Sequence, residues 1–215
     1  MGPATFDPES ALIVIDVQND FCPGGSLAVE EGDAVIPVIN SIARRFPRVV
    51  ATQDWHPADH VSFASSHPGR RVLDLVDAGG IDQVLWPDHC VQGTLGAELH
   101  PRLAAGPIGL LLRKGQRREL DSYSAFFEND RRSDTGLRHY LTGLGVQDLY
   151  VCGLATDYCV RATALDARRL GFRVTVVTDA CRGVDHPKGN VREALRAMEA
   201  AGARLLESGA LSRLG

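Results

Sequence analysis

Four short apolar stretches of the chain each lead into a side chain that could take part in catalysis. The stretches and the groups that follow them are residues 11–15 with Asp16, residues 48–52 with Asp54 and His56, residues 108–112 with Lys114, and residues 149–154 with Cys159. A carboxylate can accept a proton, a thiol can attack a carbonyl carbon, and an aspartate–histidine pair can bind a metal ion. Together these groups would suit nucleophilic catalysis beside a metal.

The elements that carry these groups read as strands of one sheet. Short stretches of β-branched residues bounded by turn residues are typical of buried parallel strands. In open parallel sheets, ligands bind beyond the carboxyl ends of the strands. Because each reactive group follows the carboxyl end of a predicted strand, we expect all four to meet at one edge of the sheet.

Strand and helix patterns alternate along the whole chain. Predicted strands cover residues 11–15, 48–52, 108–112, 149–154, 173–178 and 203–206. Predicted helices begin at a cap at Asp33, at Ser133 or Asp134, near Thr156 or Asp157, and near Asn190. The second helix should bury one face made of Leu137, Tyr140, Leu141 and Leu144. Alternation of this kind predicts an α/β fold with three layers and a six-stranded parallel sheet. With no repeat or linker, residues 1–215 are predicted to form a single domain.

Composition excludes several classes of function. At 44% apolar and 23% charged residues the chain has the composition of an ordinary globular protein. The net charge is −4 and the basic residues are scattered, which argues against nucleic-acid binding. No apolar stretch approaches the roughly 18 residues of a membrane span. The first seven residues lack the basic start and apolar segment of a signal peptide.

Five cysteines, without a CxxC pair, argue against a disulfide framework or a thiolate zinc site. They are Cys22, Cys90, Cys152, Cys159 and Cys181. Reduced thiols predict a cytoplasmic location. Between residues 55 and 106 periodicity is weak, but two tryptophans and several histidines occur there. A segment this long without regular structure is usually functional or disordered, and its composition favours function.

Cys159 falls in the first turn of its predicted helix. The helix N-terminus stabilises a thiolate by about 0.3–1 kcal/mol, whereas lowering a thiol pKa by two units requires roughly 2.7 kcal/mol. A cation or a base must therefore help, and Lys114 could supply the charge while Asp16 takes the proton. Backbone amides of the strand-to-helix turn would then face a developing oxyanion. The alternative is a buried structural cysteine, the usual fate of a single cysteine.

Asp54 and His56 offer an oxygen and a nitrogen ligand two residues apart. His60, His67 and His89 follow within a few dozen residues. Such a set suits zinc, iron or manganese, and three protein ligands would leave positions open for water or substrate. The alternative is a group of solvated loop histidines. Trp86 and Phe21 could likewise wall an aromatic pocket or simply belong to the core.

Five motifs resemble those of the nicotinamidases, a branch of the isochorismatase-like cysteine hydrolases. In chain order they are DVQNDFCPGGSL at residues 16–27, TQDWHPADHVSF at 52–63, WPDHCVQGT at 86–94, KG at 114–115 with DSYSAF at 121–126, and GLATDYCV at 153–160. The resemblance covers nearly the whole chain. Gly93 stands where relatives often carry asparagine, and residues 65–81 are hard to align.

The resemblance implies a role for each group of residues. Asp16, Lys114 and Cys159 would form the catalytic triad, and the amides of Ala155 and Cys159 the oxyanion hole, next to a cis peptide bond between Leu154 and Ala155. Asp54, His56 and His89 would bind one divalent ion, with His60 a ligand only in some relatives. Phe21, Leu27, Trp86 and Tyr123 would line the substrate pocket.

The implied reaction is the hydrolysis of nicotinamide to nicotinate and ammonia through a thioester, in NAD salvage, with pyrazinamide as a side substrate. The metal would bind the pyridine nitrogen and orient the ring. Alternatives are another carbon–nitrogen hydrolase of the superfamily acting on N-carbamoyl amides, and a non-enzymatic scaffold on the same fold. The isochorismatase branch lacks this cysteine and is disfavoured. The resemblance leaves a homo-oligomer open.

Overall fold

The computed structural model describes residues 6–213. Residues 1–5 lie outside the described residues. They belong to the N-terminal segment that is predicted not to be a signal peptide. The strands are β1 (Ser10–Ile15), β2 (Val49–Asp54), β3 (Leu75–Asp77), β4 (Asp82–Val84), β5 (Leu110–Lys114), β6 (Asp148–Leu154), β7 (Arg173–Arg182) and β8 (Arg204–Leu206). The α-helices are α1 (Val35–Ala43), α2 (Leu137–Gly143), α3 (Arg161–Arg169) and α4 (Asn190–Ala200).

Six of these strands form one parallel sheet in the order β5–β2–β1–β6–β7–β8. Every residue of β1 and β2 is buried, because helices flank a sheet of this kind on both faces. The predicted six-stranded α/β fold is thereby confirmed. Most strand limits lie within two residues of the prediction, but β7 continues four residues further, to Arg182. The single domain over residues 1–215 stays a prediction.

Two predicted helix starts are wrong. A short 3₁₀ turn over Gly32–Ala34 precedes α1, and the Asp33 carboxylate pairs with Arg102 instead of capping the helix. Helix α2 begins after Gly136, whose φ of 89° lies in the left-handed region that glycine tolerates. Asp134 accepts a hydrogen bond from the Gly136 amide, so its carboxylate shapes the turn before the helix.

Only half of the predicted inner face of α2 is buried. Leu137 and Leu141 are inaccessible, whereas Tyr140 is 38% and Leu144 40% exposed. The helix has only seven residues, so one pair four residues apart suffices to anchor it in the hydrophobic core.

The segment of weak periodicity, residues 55–106, contains a hairpin that the sequence analysis did not predict. Strands β3 and β4 have three residues each and pair antiparallel, with Val76 opposite Gln83. Strands this short give too little alternation to detect.

Among the described residues, no helix combines the length and apolar character needed to cross a membrane.

Candidate active site

Four neighbouring strands of the sheet carry the reactive groups at their carboxyl ends. Asp54 and Lys114 are the last residues of β2 and β5, Asp16 directly follows β1, and Cys159 lies in the turn after β6. Because these strands are adjacent in the order β5–β2–β1–β6, parallel pairing brings the four ends to one edge. The four groups therefore converge as predicted, and this convergence is a property of the fold.

Lys114 lies at the centre of this cluster and is fully buried. Its Nζ lies 2.9 Å from Oδ2 of Asp16, 2.8 Å from the Ser122 carbonyl oxygen and 3.4 Å from Sγ of Cys159. It also donates to Oδ1 of Asp54. Burial lowers the pKa of Lys114, but the two carboxylates raise it well above its usual value. The lysine therefore stays cationic and holds both carboxylates.

Asp16 is placed to accept a proton. Its backbone φ of 46° turns the chain out of β1, and its Oδ1 accepts a 2.5 Å hydrogen bond from the Thr52 hydroxyl. Burial raises the pKa of Asp16 to about 6, against the opposing influence of Lys114 and Thr52. At neutral pH the carboxylate is mostly ionised, yet it is basic enough to take a proton from a nearby acid.

Cys159 lies in a π-helical turn, Thr156–Val160, which precedes α3 and replaces the α-helical first turn that was predicted. Its Sγ and a carboxylate oxygen of Asp16 lie within 4.8 Å of each other. Burial raises the pKa of Cys159 well above its usual value even though Lys114 acts to lower it. The sequence left open whether a cation or a base assists this thiol, and in the structure desolvation outweighs the one cation. The resting group is a neutral thiol, so attack requires transfer of its proton to a base.

Thr52→Val tests the basicity of Asp16. In the unmodified protein, kcat/KM for nicotinamide, the substrate that the resemblance implies, should decrease as the pH drops through about 6, because Asp16 becomes protonated there. Removing the hydroxyl that stabilises the carboxylate should move this acid limb upward by about one pH unit. The measurement is the pH profile of kcat/KM. Thr163→Val, at a buried hydroxyl that accepts a bond from the Ala125 amide, is the control. An unshifted limb in Thr52→Val would contradict the role of Asp16.

Asp54, His56 and His89 could hold a metal ion. One ligand atom from each lies within 4.8 Å of the others, and all three residues are buried. His56 Nδ1 bonds to the Gly115 carbonyl oxygen at 2.8 Å, and His89 Nδ1 bonds to the Pro87 carbonyl oxygen at 2.7 Å. These carbonyls fix each Nδ1 as the protonated nitrogen, which leaves the Nε2 atoms to face the site, where Nε2 of His56 lies 3.7 Å from Oδ2 of Asp54. The donor set fits a divalent ion such as zinc.

The protonation states of Asp54 and His89 also suit the binding of a metal cation. Burial raises the pKa of Asp54, but Lys114 and His56 lower it more, so the carboxylate is ionised. Burial together with His56 lowers the pKa of His89 to about 4, so its imidazole is neutral, as a metal ligand must be.

His60 is arranged differently from the other two histidines. Its ring stacks on His56 with centroids 4.1 Å apart. Its Nδ1 lies 2.7 Å from the Ser62 hydroxyl and its Nε2 lies 3.2 Å from the Leu120 carbonyl oxygen. Because both nitrogens already bond to the protein, metal ligation by His60 would require one of these bonds to break, and it stays a prediction.

Between the thiol and the candidate metal ligands lies a small cavity, whose empty space is about 350 Å³ when its open mouth is included. Its walls are Phe21, Leu27, Asp54, Trp86, His89, Tyr123, Ala155, Tyr158, Cys159 and Val184. All four predicted pocket residues are among them. The Leu154–Ala155 peptide bond is cis, as the resemblance implied. The oxyanion role of the Ala155 and Cys159 amides remains a prediction.

Two pocket residues were missed. The Tyr158 ring packs edge-on against Trp86 with centroids 4.8 Å apart, and its hydroxyl donates to the His186 carbonyl oxygen at 2.9 Å. Val184 comes from the loop after β7 and is held by its amide, which donates to Asp157 at 3.0 Å. Tyr158 lies next to the candidate nucleophile and could have been suspected, whereas nothing in the sequence around Val184 marks it.

The chain matches known proteins in both sequence and structure. Residues 10–209 match the model of the isochorismatase domain family. The chain is similar to a nicotinamidase of Acinetobacter baylyi, with 48% identity over 92% of each chain. Its structure resembles that of a nicotinamidase–pyrazinamidase of Acinetobacter baumanii, with a TM-score of 0.93 and 47% identity over 95% of this chain and 99% of the other.

Two further solved structures contain ligands. One is PnC1 of L. infantum in complex with nicotinate, with a TM-score of 0.84 and 39% identity over 96% of this chain and 97% of the other. The second is a pyrazinamidase of Pyrococcus horikoshii in complex with zinc, with a TM-score of 0.76 and 39% identity over 93% of this chain and 99% of the other.

Proposed function

The chain belongs to the isochorismatase family, and we propose that within this family it is a nicotinamidase, which hydrolyses nicotinamide to nicotinate and ammonia. The observation that carries the proposal is the meeting of Cys159, Lys114 and Asp16 at one side of an aromatic cavity whose wall includes Asp54 and His89. The similarity to characterised nicotinamidases over more than nine-tenths of the chain supports the same activity. Pyrazinamide is the expected side substrate, since it keeps the ring nitrogen and the carboxamide.

Asp54, His56 and His89 would hold one divalent ion, and zinc is the first choice because a related pyrazinamidase was solved with zinc. When bound, the ion would supply a positive charge that attracts the pyridine nitrogen and so orients the ring. Phe21, Trp86 and Tyr123 would contact the flat faces and edges of that ring.

Formation of the acyl-enzyme would use the three central groups. As Sγ of Cys159 forms a bond to the carboxamide carbon, its proton passes to Asp16 and the carbonyl electrons move onto oxygen. The amides of Ala155 and Cys159 would donate to that oxygen. When the carbon–nitrogen bond breaks, Asp16 returns the proton to the departing nitrogen, which leaves as ammonia. Lys114 would stabilise negative charge on both Sγ and Asp16 throughout.

Hydrolysis of the thioester would reuse the same base. Asp16 takes a proton from the attacking water while the new carbon–oxygen bond forms. The carbon–sulfur bond then breaks, Asp16 returns the proton to Sγ, and the product leaves as nicotinic acid, whose carboxyl proton passes to ammonia or solvent to give nicotinate. One water is consumed and one ammonia released in each cycle, and Asp16 ends in its starting state.

A substrate comparison separates this activity from the hydrolysis of N-carbamoyl amides. We expect ammonia release from nicotinamide with a kcat/KM at least about 100-fold above that for an N-carbamoyl amide, since only the pyridine ring can use both the metal and the aromatic walls. The assay is enzyme-coupled ammonia detection with both substrates, with and without a chelator. A preference for the N-carbamoyl amide would contradict the proposal.

All five cysteines are free and buried. This supports the predicted cytoplasmic location, since free thiols persist in reducing compartments. The formation of a homo-oligomer stays a prediction.

A further inference from the structure

The main chain of Asp54 lacks a strand neighbour on one side. Pairing of β1 with β2 ends at Val14 opposite Ala51, because the chain turns away from the sheet at Asp16. On its other side, Asp54 continues to pair with Lys114 of β5. A buried N–H and C=O without a partner would each cost on the order of 1–3 kcal/mol. A partner must therefore replace the missing strand.

The side chain of Gln18 takes that place. Its Oε1 accepts a hydrogen bond from the Asp54 amide at 2.8 Å, and its Nε2 donates to the Asp54 carbonyl oxygen at 2.8 Å. The carboxamide thus presents one acceptor and one donor to Asp54, as the peptide group of a neighbouring strand would. Gln18 itself is fully buried, so water does not compete for these bonds.

The same carboxamide reaches the segment that follows His89. The second hydrogen of Nε2 bonds to the Ala97 carbonyl oxygen at 2.9 Å, and the Gln18 backbone bridges to Leu99. The Gln18 amide donates to the Asp16 carbonyl oxygen at 2.8 Å. One residue therefore connects the turn of the proposed base, the main chain of one proposed metal ligand and the segment that carries another.

We propose that Gln18 is a positioning residue for the metal site, which acts by fixing the Asp54 main chain and the 89–99 segment relative to each other. The inference rests on the proposed metal site. Gln18 is not among the residues that line the cavity, and its carboxamide bonds to Asp54 and Ala97, so it acts through these two residues. Its carboxamide satisfies both polar main-chain atoms of Asp54, which neither a hydrocarbon nor a carboxylate of the same length could do.

Gln18→Met tests this inference because methionine keeps the length of the side chain and removes all three bonds. Partners that orient metal ligands typically contribute about 10–100-fold in metal affinity. We expect the dissociation constant for zinc, measured on the full chain by competition with a chromophoric chelator, to rise by that factor. Thermal unfolding of the zinc-free protein shows whether the variant is folded.

Gln53→Met is the matched control. Gln53 is also buried, adjoins Asp54 and donates to the same Ala97 oxygen at 2.9 Å, but its Oε1 faces Arg113 instead of Asp54. We expect its zinc affinity to stay within about threefold of the unmodified protein. Should Gln18→Met fail to fold, Gln18→Glu keeps the acceptor for the Asp54 amide and loses both donors, and it should weaken zinc binding at pH 8 at least about tenfold.

Unchanged zinc affinity in a folded Gln18 variant, or an equal loss in Gln53→Met, would overturn the inference. His89→Ala separates this result from a failure of the metal site itself, because it removes a ligand outright. If His89→Ala loses zinc and Gln18→Met does not, the positioning role alone is wrong. If His89→Ala binds zinc normally, the proposed metal site is wrong.

Discussion

Replacing Cys159 by alanine should lower kcat/KM for nicotinamide by at least about 10⁴-fold, the scale of loss when a covalent nucleophile is removed from a catalytic triad. The sulfur is the only group at the cavity wall that the proposed mechanism uses to form a bond to carbon. Zinc content and the affinity for nicotinamide should stay close to those of the unmodified enzyme, because Cys159 is not among the proposed metal ligands and contributes one small side chain to the pocket.

Cys152→Ala is the control for that variant. Cys152 is fully buried in β6, seven residues before the nucleophile, and its thiol donates to the Ile13 carbonyl oxygen. The Cys152→Ala variant should turn over nicotinamide at the rate of the unmodified enzyme. Ammonia release, zinc content and binding of nicotinamide by calorimetry are measured on both variants. Turnover in Cys159→Ala above about one per cent of normal would exclude a covalent route through this sulfur.

Lys114→Met should lose both activity and stability. The change leaves the Asp16 and Asp54 carboxylates buried and facing each other without a cation, which typically costs about 3–5 kcal/mol in the free energy of unfolding. Turnover should fall by at least about 10³-fold, since negative charge on Sγ and on Asp16 would no longer be stabilised. Unfolding by denaturant and ammonia release measure the two losses.

The stability loss in Lys114→Met should depend on pH. Without the lysine, burial raises the pKa of both carboxyls above their values in the unfolded chain. A carboxyl with a raised pKa destabilises the folded state as the pH rises through that value, so the deficit should be larger at pH 8 than at pH 5. Lys188→Met, at the exposed second lysine of the chain, should change neither property. A deficit below about 1 kcal/mol at pH 8 in zinc-free protein would contradict the pairing of Lys114 with both carboxylates.

The sequence allowed the convergence of the reactive groups to be predicted because it depends on topology. Asp16, Lys114 and Cys159 each follow an apolar stretch, and parallel strands place their carboxyl ends on one side. No local sequence pattern shows which strands are adjacent in the sheet. That β5, β2, β1 and β6 are consecutive became clear only from the pairing.

The electrostatic state of Cys159 could not be predicted from placement alone. The sequence placed both a cation and a base near this thiol without showing which of them assists it. Desolvation raises the pKa of Cys159, and the extent of burial depends on residues far away in the chain. The role of Gln18 was hidden for a similar reason. Its bonds join residues 36 and 79 positions away, and a glutamine between a valine and an asparagine has no signature that distinguishes it from a solvated one.

Rapid-quench mass spectrometry during turnover of nicotinamide tests directly whether the substrate becomes covalently attached to Cys159. We expect one nicotinoyl group on the peptide that contains Cys159, and formation of nicotinohydroxamate when hydroxylamine competes with water for the thioester. A nicotinoyl group on any other residue, or turnover in hydroxylamine that yields nicotinate without hydroxamate, would contradict it.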